Sequence, residues 1–190
     1  MQKALSICLL SLLFYQCTEK TIKCKIATSL GEIEVELYPE KAPVTVANFM
    51  SYVDAELYTS SSFFRACTPT NEAEREVQIQ VIQGGDLPPE KEMAPIDIET
   101  TQRTGILHKN GTLSMARDTP NSATCSFFIC IGDQPSLDHN GARNPDGFGF
   151  AAFGQVTKGM DVVMKIQQQE EEDQYLINPV KILNITRIHE

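Results

Sequence analysis

The sequence carries little positive charge. Its 190 residues include 16 lysines and arginines against 25 aspartates and glutamates, which gives a formal charge of −9. Proteins that bind nucleic acid neutralise phosphates with clustered lysine and arginine, and the sequence has no such cluster. We therefore expect no nucleic acid as a partner, and the acidity mainly indicates solubility.

Signals for metal or phosphate binding are also missing. The histidines at positions 108, 139 and 189 are scattered and lack the paired spacing of a zinc site. In the polar segment 138–147, Ala142 breaks the pattern of a calcium loop. Gly84-Gly85 is not followed by the Lys-Ser/Thr of a phosphate loop, and the acidic run 170–173 is more typical of a solvated loop than of a metal site. We expect no cofactor and no metal.

No apolar run reaches the roughly 20 residues that a membrane-spanning helix needs. The longest candidate, residues 4–15, follows Lys3 and ends just before Gln16-Cys17. A positive residue followed by a short apolar run is typical of an export signal, and the cysteine at its end resembles a bacterial lipoprotein signal. We assign residues 1–17 to this signal, with Cys17 as the lipidated residue. A retained membrane anchor and simple secretion are the alternatives.

Residues 18–190 contain neither repeats nor a linker, and 42% of the whole sequence is apolar. About 170 residues suit one domain with a substantial core. Apolar and polar residues alternate in two segments, at Ile22, Cys24 and Ile26 and, after a turn at Gly31, at Ile33, Val35 and Leu37. This pattern predicts a hairpin with one solvent-exposed face.

Two helices are predicted. Pro43 suits the first turn of a helix, and the spacing of Val46, Phe49, Met50 and Val53 gives it one apolar stripe. Around residues 159–166, Met160, Val163 and Met164 are expected to share one side of the second helix. Residues 68–77 and 87–99 are predicted loops, and residues 179–188 a last strand. A sequence with many predicted strands and two separated helices indicates a closed β-barrel capped by helices.

The sequence has six cysteines. Cys8 lies in the signal, and Cys17 is the proposed lipid attachment point. Cys125 and Cys130 are too far apart along one apparent strand to bridge each other. A disulfide from Cys24 or Cys67 to another cysteine stays open.

Four motifs organise the rest of the chain. They are, in order, Phe63-Phe64-Arg65, Gln83-Gly84-Gly85-Asp86, Leu113-Ser114-Met115-Ala116-Arg117 and Ser126-Phe127-Phe128-Ile129. Together they resemble the cyclophilin-type peptidyl-prolyl cis-trans isomerases in their bacterial, shorter-looped form, over residues 20–188. The resemblance implies a mainly β fold, a closed antiparallel eight-stranded barrel capped by two α-helices, and an isomerase domain over residues 18–190. In this family the arginine strand runs almost directly into the Gln-Gly-Gly-Asp turn, so the surface loop at residues 68–77 looks like an insertion of about six residues.

The activity implied is rotation about X-Pro peptide bonds. Resonance sets a barrier of about 18 to 20 kcal/mol for that rotation. A twisted amide regains a lone pair on the proline nitrogen, so a fixed donor aimed there would stabilise the transition state. The resemblance assigns this role to Arg65, whose guanidinium stays charged and offers a rigid fork of N–H groups.

The remaining site residues are carried over from the resemblance. Phe128, Met115 and Leu137 are candidates for an apolar proline pocket. Gln83 could hold Arg65 or bind the substrate backbone, and the main chain at Ala116 and Arg117 could pair with the residue before proline. If Phe127 points inward, strand alternation turns Ser126 and Phe128 together toward the groove.

Several positions depart from the family pattern. Gln80 and Val81 replace Phe-Met, Ser126 replaces Gln, Ser136 replaces Trp, and Phe150 replaces His or Tyr. These changes leave two functions open: an isomerase that assists the folding of exported proteins, or a proline-peptide-binding module or holding chaperone with little turnover. The expected partners are flexible proline-containing polypeptides. We expect a monomer in the bacterial cell envelope, lipid-anchored and facing the periplasm.

The location predicts the effect of one substitution. If Cys17 carries the lipid, Cys17→Ala should move the protein from the membrane fraction to the soluble fraction, or leave an unprocessed precursor. Fractionation and the mass of the mature N-terminus would measure this. A correctly processed Cys17→Ala protein that stays with the membrane would contradict the lipid anchor.

Overall fold

The structure is a computed structural model that describes residues 20–188. The predicted signal, Cys17 and His189 lie outside the described residues. Within residues 20–188, none of the helices has the length and apolar character needed to cross a bilayer.

Residues 20–188 form nine β-strands and three α-helices. The strands are β1 Ile22–Thr28, β2 Gly31–Leu37, β3 Ser62–Cys67, β4 Val81–Gly84, β5 Thr112–Met115, β6 Phe127–Cys130, β7 Ala151–Lys158, β8 Glu171–Glu172 and β9 Tyr175–Arg187. The helices are α1 Pro43–Asp54, α2 Thr101–Thr104 and α3 Met160–Gln167, and short 3-10 turns occupy Leu57–Ser60, Pro89–Lys91 and Pro135–Leu137.

Eight of the strands close into a barrel. They pair in the order β1, β2, β7, β5, β6, β4, β3, β9, and β9 pairs back with β1. All of these pairings are antiparallel. The two-residue β8 lies outside the ring and pairs with β9. The predicted closed eight-stranded barrel is confirmed, and closure removes the open edges that invite aggregation.

The first hairpin and the first long helix form as predicted. Ile26 lies opposite Ile33 in the β1–β2 ladder, and both are fully buried. The apolar stripe of α1 is buried in the same core. Its N-terminus has no local side-chain cap, and the carboxylate of Glu99 instead accepts hydrogen bonds from the backbone N–H and hydroxyl of Thr45, each at 2.8 Å. A carboxylate there is favourable because the first helical N–H groups lack internal partners.

The prediction for the second long helix was only partly right, and α2 was not predicted. The buried side of α3 consists of Val162, Val163 and Ile166, whereas Met164 is 46% exposed. Val162 belongs to the buried side of α3 because the β1–β2 turn leaves room for its side chain. A Cβ on Gly31 would lie 2.8 Å from Cγ2 of Val162, so the missing side chain of that glycine lets Val162 pack.

The four cysteines of the described residues are free and buried. No disulfide therefore forms among residues 20–188, which answers the question left open for Cys24 and Cys67. Burial raises the pKa of the Cys24 thiol to about 11, and burial also raises the pKa of Cys67, Cys125 and Cys130. Each thiol is thus shielded from solvent and held in its unreactive protonated form.

This burial predicts thiol reactivity. In a protein that begins at Thr18, we expect almost no rapid reaction with 5,5′-dithiobis(2-nitrobenzoate) at neutral pH, and four reactive thiols after unfolding. Absorbance of the released thiolate would measure both. Rapid labelling of a thiol in the folded protein would contradict the described packing.

Candidate active site

Arg65 reaches the outside of the barrel because β3 bulges beside it. In a regular strand Arg65 would face the same side as Phe63, two residues earlier, and Phe63 is fully buried in the core. The pairings of β3 with β4 and with β9 both shift register between Phe63 and Arg65. An extra residue in one strand re-aims the side chains that follow it. Arg65 therefore points out of the barrel and is half-buried. It lines a groove whose other walls include Gln83, Phe128 and Phe150.

Four side chains, beginning with Arg65, form one row across neighbouring strands. Arg65 lies opposite Gln83, Gln83 opposite Phe128, and Phe128 opposite Ser114. Residues paired in this way share one face of a sheet. Since strands are about 4.8 Å apart, the backbones at Arg65 and Phe128 are separated by roughly 10 Å. That distance is on the scale of a dipeptide.

The Gly-Gly-Asp turn holds this row in register. A Cβ on Gly84 would lie 2.7 Å from the ring of Phe63, and one on Gly85 would lie 2.8 Å from the carbonyl oxygen of Cys125. Gly85 also has a φ of +81°, a conformation that favours glycine. Asp86 Oδ1 then accepts a hydrogen bond from the backbone N–H of Ser62 at 3.0 Å. These contacts fasten β4 against β3, which sets Gln83 beside Arg65.

Gln83 is oriented by its neighbours. Nη1 of Arg65 donates to Oε1 of Gln83 at 3.0 Å, and Nε2 of Gln83 donates to Oγ of Ser126 at 3.2 Å. The Ser126 hydroxyl donates onward to the carbonyl oxygen of Gly84 at 3.1 Å. An arginine can only donate, so the amide oxygen of Gln83 must face it. The structure thus brings together three of the predicted site residues, Arg65, Gln83 and Ser126.

An apolar wall lies across the groove from Arg65. It belongs to a cluster outside the barrel core, made of Cys67, Ile79, Val81, Phe128, Cys130 and Leu137, with Ala116 and Phe150 packed against it. Phe128 and Phe150 meet edge to face, with ring centroids 5.3 Å apart. A cavity of about 440 Å³ separates this wall from Arg65. Phe127 lies in the barrel core instead, which is the condition under which Ser126 and Phe128 both turn toward the groove.

Met115 does not line the cavity. It lies opposite Phe127 in the β5–β6 ladder and is 1% exposed within the barrel core. Directly opposite residues share a face, so an inward Phe127 requires an inward Met115. The prediction that Met115 forms part of the proline pocket is therefore not supported by its position.

Ala116 and Arg117 both line the cavity. The N–H of Ala116 donates to the carbonyl oxygen of Ser126 at 2.8 Å. The guanidinium of Arg117 lies 5.3 Å from the ring centre of Phe150 and binds both carboxylate oxygens of Asp146 at 2.7 and 2.8 Å. Arg117 thus fixes Phe150 and the loop that carries it.

A buried histidine that the sequence reasoning did not assign to the site supports Phe128 from behind. The His108 ring stacks on Phe128 with 5.9 Å between centroids, and its Nδ1 lies 2.8 Å from Oδ1 of Asp138. Because a carboxylate only accepts, Nδ1 carries the proton. Nε2 lies 2.9 Å from Oγ of Ser114. The outward-facing serine of β5 was the one available signal, since a buried polar group needs a partner.

The segment 68–77 is not the purely surface loop that the sequence predicted. Glu72 within it is fully buried. Its carboxylate accepts hydrogen bonds from Nη2 of Arg143 at 3.1 Å and from Nε2 of Gln174 at 2.6 Å. Gln174 in turn accepts a hydrogen bond from Nε of Arg65 at 3.0 Å. The sequence reasoning missed all three residues.

The acidic run 170–173 is not wholly a solvated loop either. Two of its residues form β8, and Oε2 of Glu171 accepts a hydrogen bond from the backbone N–H of Gln174 at 2.6 Å. Among residues 20–188, no group of three or more histidine, cysteine, aspartate or glutamate side chains is placed to hold a metal ion.

The sequence model of the family described as cyclophilin type peptidyl-prolyl cis-trans isomerase/CLD matches residues 23–187. The chain belongs to this family.

Individual relatives support this family membership. The chain is 37% identical over 148 residues to peptidyl-prolyl cis-trans isomerase cyp18 of Streptomyces antibioticus, which covers 75% of this chain and 81% of the relative. It is 40% identical over 147 residues to a peptidyl-prolyl cis-trans isomerase of Acinetobacter baylyi, with 75% and 70% covered. A cyclophilin-type isomerase of Cryptosporidium parvum has the same fold, with a TM-score of 0.73 at 20% identity over 90% of this chain and 99% of that one.

The Asp138–His108 pair predicts a pH dependence of stability. Burial alone raises the pKa of the Asp138 carboxyl, but hydrogen bonds from His108 outweigh it, so the pKa lies below its usual value. A lowered folded-state pKa stabilises the protein above the unfolded pKa of about 3.9, and this stabilisation is lost as the pH falls through the folded pKa. Asp138→Asn, which cannot titrate, should therefore lose less stability between pH 7 and pH 3 than the wild type.

Urea unfolding at the two pH values would measure the free energies. The exposed Asp97 supplies the matched control, and Asp97→Asn should follow the wild-type curve. Equal losses in wild type and Asp138→Asn would contradict the assigned role of this pair.

Proposed function

We propose that the groove between Arg65 and the apolar wall is where this peptidyl-prolyl cis-trans isomerase rotates X-Pro bonds. The observation that carries the proposal is a fixed guanidinium facing an apolar wall across one cavity of about 440 Å³. A proline residue presents the same two requirements, an apolar ring and a nitrogen that gains a lone pair on twisting. The width of the row from Arg65 to Phe128 suits a dipeptide.

The proline ring would rest on the wall formed by Phe128, Leu137 and Phe150. Phe128 and Leu137 are almost fully buried, so the wall presents a rigid surface rather than mobile side chains. Apolar contacts in a preformed pocket would hold the proline ring without fixing the torsion angle of the X-Pro peptide bond. Rotation about the X-Pro bond can then occur while the ring stays in place.

Arg65 would stabilise the twisted amide. A guanidinium has five N–H donors, and three of the Arg65 nitrogens donate to Gln83 and Gln174. Further N–H groups remain for the substrate, and they belong to a guanidinium whose positive charge is permanent. The planar amide needs its nitrogen lone pair for resonance, so this donor would favour the twisted state over the ground state.

The substrates we propose are flexible proline-containing polypeptides during the folding of exported proteins. The apolar run 4–15 and Cys17 support an envelope location with a lipid anchor, and the protein would act as a monomer. A proline-binding module or holding chaperone with the same groove is the alternative. It would bind such peptides without accelerating their exchange.

The proposal predicts the kinetics of two substitutions. A charge-assisted hydrogen bond contributes roughly 1.5 to 3 kcal/mol, so Arg65→Ala should lower kcat/KM by about one to two powers of ten. Arg65→Lys should lose most of the activity as well, because a mobile ammonium replaces the planar fork. Exchange of a short X-Pro peptide, followed by NMR or by a coupled protease, would measure both.

The exposed Arg103 on α2 does not line the cavity, and Arg103→Ala serves as the matched control with an expected wild-type rate. A folded Arg65→Ala protein that isomerises the peptide at the wild-type rate would remove Arg65 from the mechanism. A wild-type protein that binds the peptide with no measurable exchange would favour the binding-module alternative.

A further inference from the structure

Arg65 depends on a second glutamine that is not part of the cross-strand row. Gln174 follows β8 and is 7% exposed. Its Oε1 accepts hydrogen bonds from both Nε and Nη2 of Arg65, the first at 3.0 Å. One oxygen thus holds two corners of the guanidinium, while Gln83 holds the third. Gln174 thereby restricts the tilt of the guanidinium plane more than Gln83 does.

The orientation of the Gln174 amide is set by Glu72. Nε2 of Gln174 donates to Oε1 of Glu72 at 2.6 Å and to the carbonyl oxygen of Asn71 at 3.4 Å. A carboxylate only accepts, so the NH₂ group must face Glu72 and the oxygen must face Arg65. An inverted amide would place donors against a guanidinium and an oxygen against a carboxylate.

Glu72 stays ionised although it is buried. Burial raises the pKa of its carboxyl, but the hydrogen bonds and charge of Arg143, with further bonds from Gln174 and the backbone N–H of Ile79, bring the pKa below its usual value. Arg75 also lies close, with Nε 3.2 Å from Oε1 of Glu72. A buried carboxylate that is paired and fully hydrogen-bonded keeps its charge at neutral pH, so it remains an acceptor for Gln174.

We propose that Glu72 and Gln174 are positioning residues for the isomerisation: Glu72 orients the Gln174 amide, and Gln174 holds the Arg65 guanidinium at the angle that the twisted amide requires. Segment 68–77 supplies Glu72 and does not line the cavity, so it would act on catalysis only through Arg65. The inference rests on the proposed role of Arg65.

A double-mutant cycle tests the chain of contacts. Gln174→Ala and Glu72→Gln should each lower kcat by about tenfold while KM stays within about twofold, because a displaced catalytic group costs rate more than substrate binding. In an Arg65→Ala background the same substitutions should change the rate by less than about twofold, because residues that act only through Arg65 have nothing left to position. NMR exchange at several peptide concentrations separates kcat from KM.

A second measurement needs no turnover. In a ¹H–¹⁵N spectrum, the Nε–H signal of Arg65, identified by its loss in Arg65→Lys, should exchange slowly with water because it is bonded to Gln174. Gln174→Ala and Glu72→Gln should both speed that exchange by about tenfold or more, since the Nε–H then loses the hydrogen bond that shields it from water.

Gln155 gives a matched control. Its amide also bonds at both ends, donating to the carbonyl oxygen of Asn110 at 2.7 Å and accepting from Thr112 at 3.3 Å, and it does not line the cavity. Gln155→Ala should lose stability without changing kcat or the exchange of the Arg65 Nε–H.

The outcomes separate the two proposals. A large rate loss in Arg65→Ala together with wild-type kcat and Nε–H exchange in Gln174→Ala would overturn the positioning role and leave Arg65 in the mechanism. Losses of equal size in the presence and absence of Arg65 would make Glu72 and Gln174 structural residues only, which also overturns it. A wild-type rate in Arg65→Ala would overturn both proposals.

Discussion

The site depends on a guanidinium that is held without being neutralised. In the proposed mechanism Arg65 would have to stay charged and unpaired to act on a weak acceptor such as an amide nitrogen, because a carboxylate in direct contact would compete for its donors and cancel its charge. Two amide oxygens, from Gln83 and Gln174, fix its geometry while adding no formal charge. The negative charge lies one contact further away at Glu72, where Arg143 balances it. Fixed dipoles around a charge of this kind are preorganised, so little reorganisation is needed when the amide twists.

The closed barrel converts this local arrangement into a rigid groove. Arg65, Gln83 and Phe128 lie on three adjacent strands whose registers are fixed by backbone ladders. Gly84 and Gly85 allow β4 and its turn to approach Phe63 and Cys125 more closely than any side chain would permit. The positions of the donor and of the apolar wall are therefore set by the sheet itself. Loops add the parts that complete the wall, including Leu137 and Phe150.

The periodicity of apolar residues indicates which side chains of a regular strand share a face. It gives no information about contacts between residues that are far apart in the sequence. Alternation put Phe127 and Phe128 on opposite faces, and cross-strand pairing with an inward Phe127 would have put Met115 in the core. It could not place Arg65, because the bulge beside Phe64 reverses the alternation and leaves no mark in residue type. Glu72 contacts Arg143 and Gln174, which lie 71 and 102 residues away in sequence. One sequence without relatives gives no signal for such contacts, and an acidic residue in a polar stretch is most often solvated.

One of the positions that depart from the family resemblance, Phe150, is held firmly in the wall. Phe150 places an aromatic ring edge-on against Phe128, and Arg117, anchored by Asp146, lies over the Phe150 ring at 5.3 Å. The ring is thus held by Phe128 on one side and by a cation on the other, while His108 fixes Phe128 from beneath. In the proposed mechanism, a wall supported in this way would hold the proline ring in one orientation. Since the transition state of X-Pro rotation differs from the ground state mainly at the amide nitrogen, a rigid wall and a rigid donor acting as proposed would matter more for the rate than the strength of peptide binding.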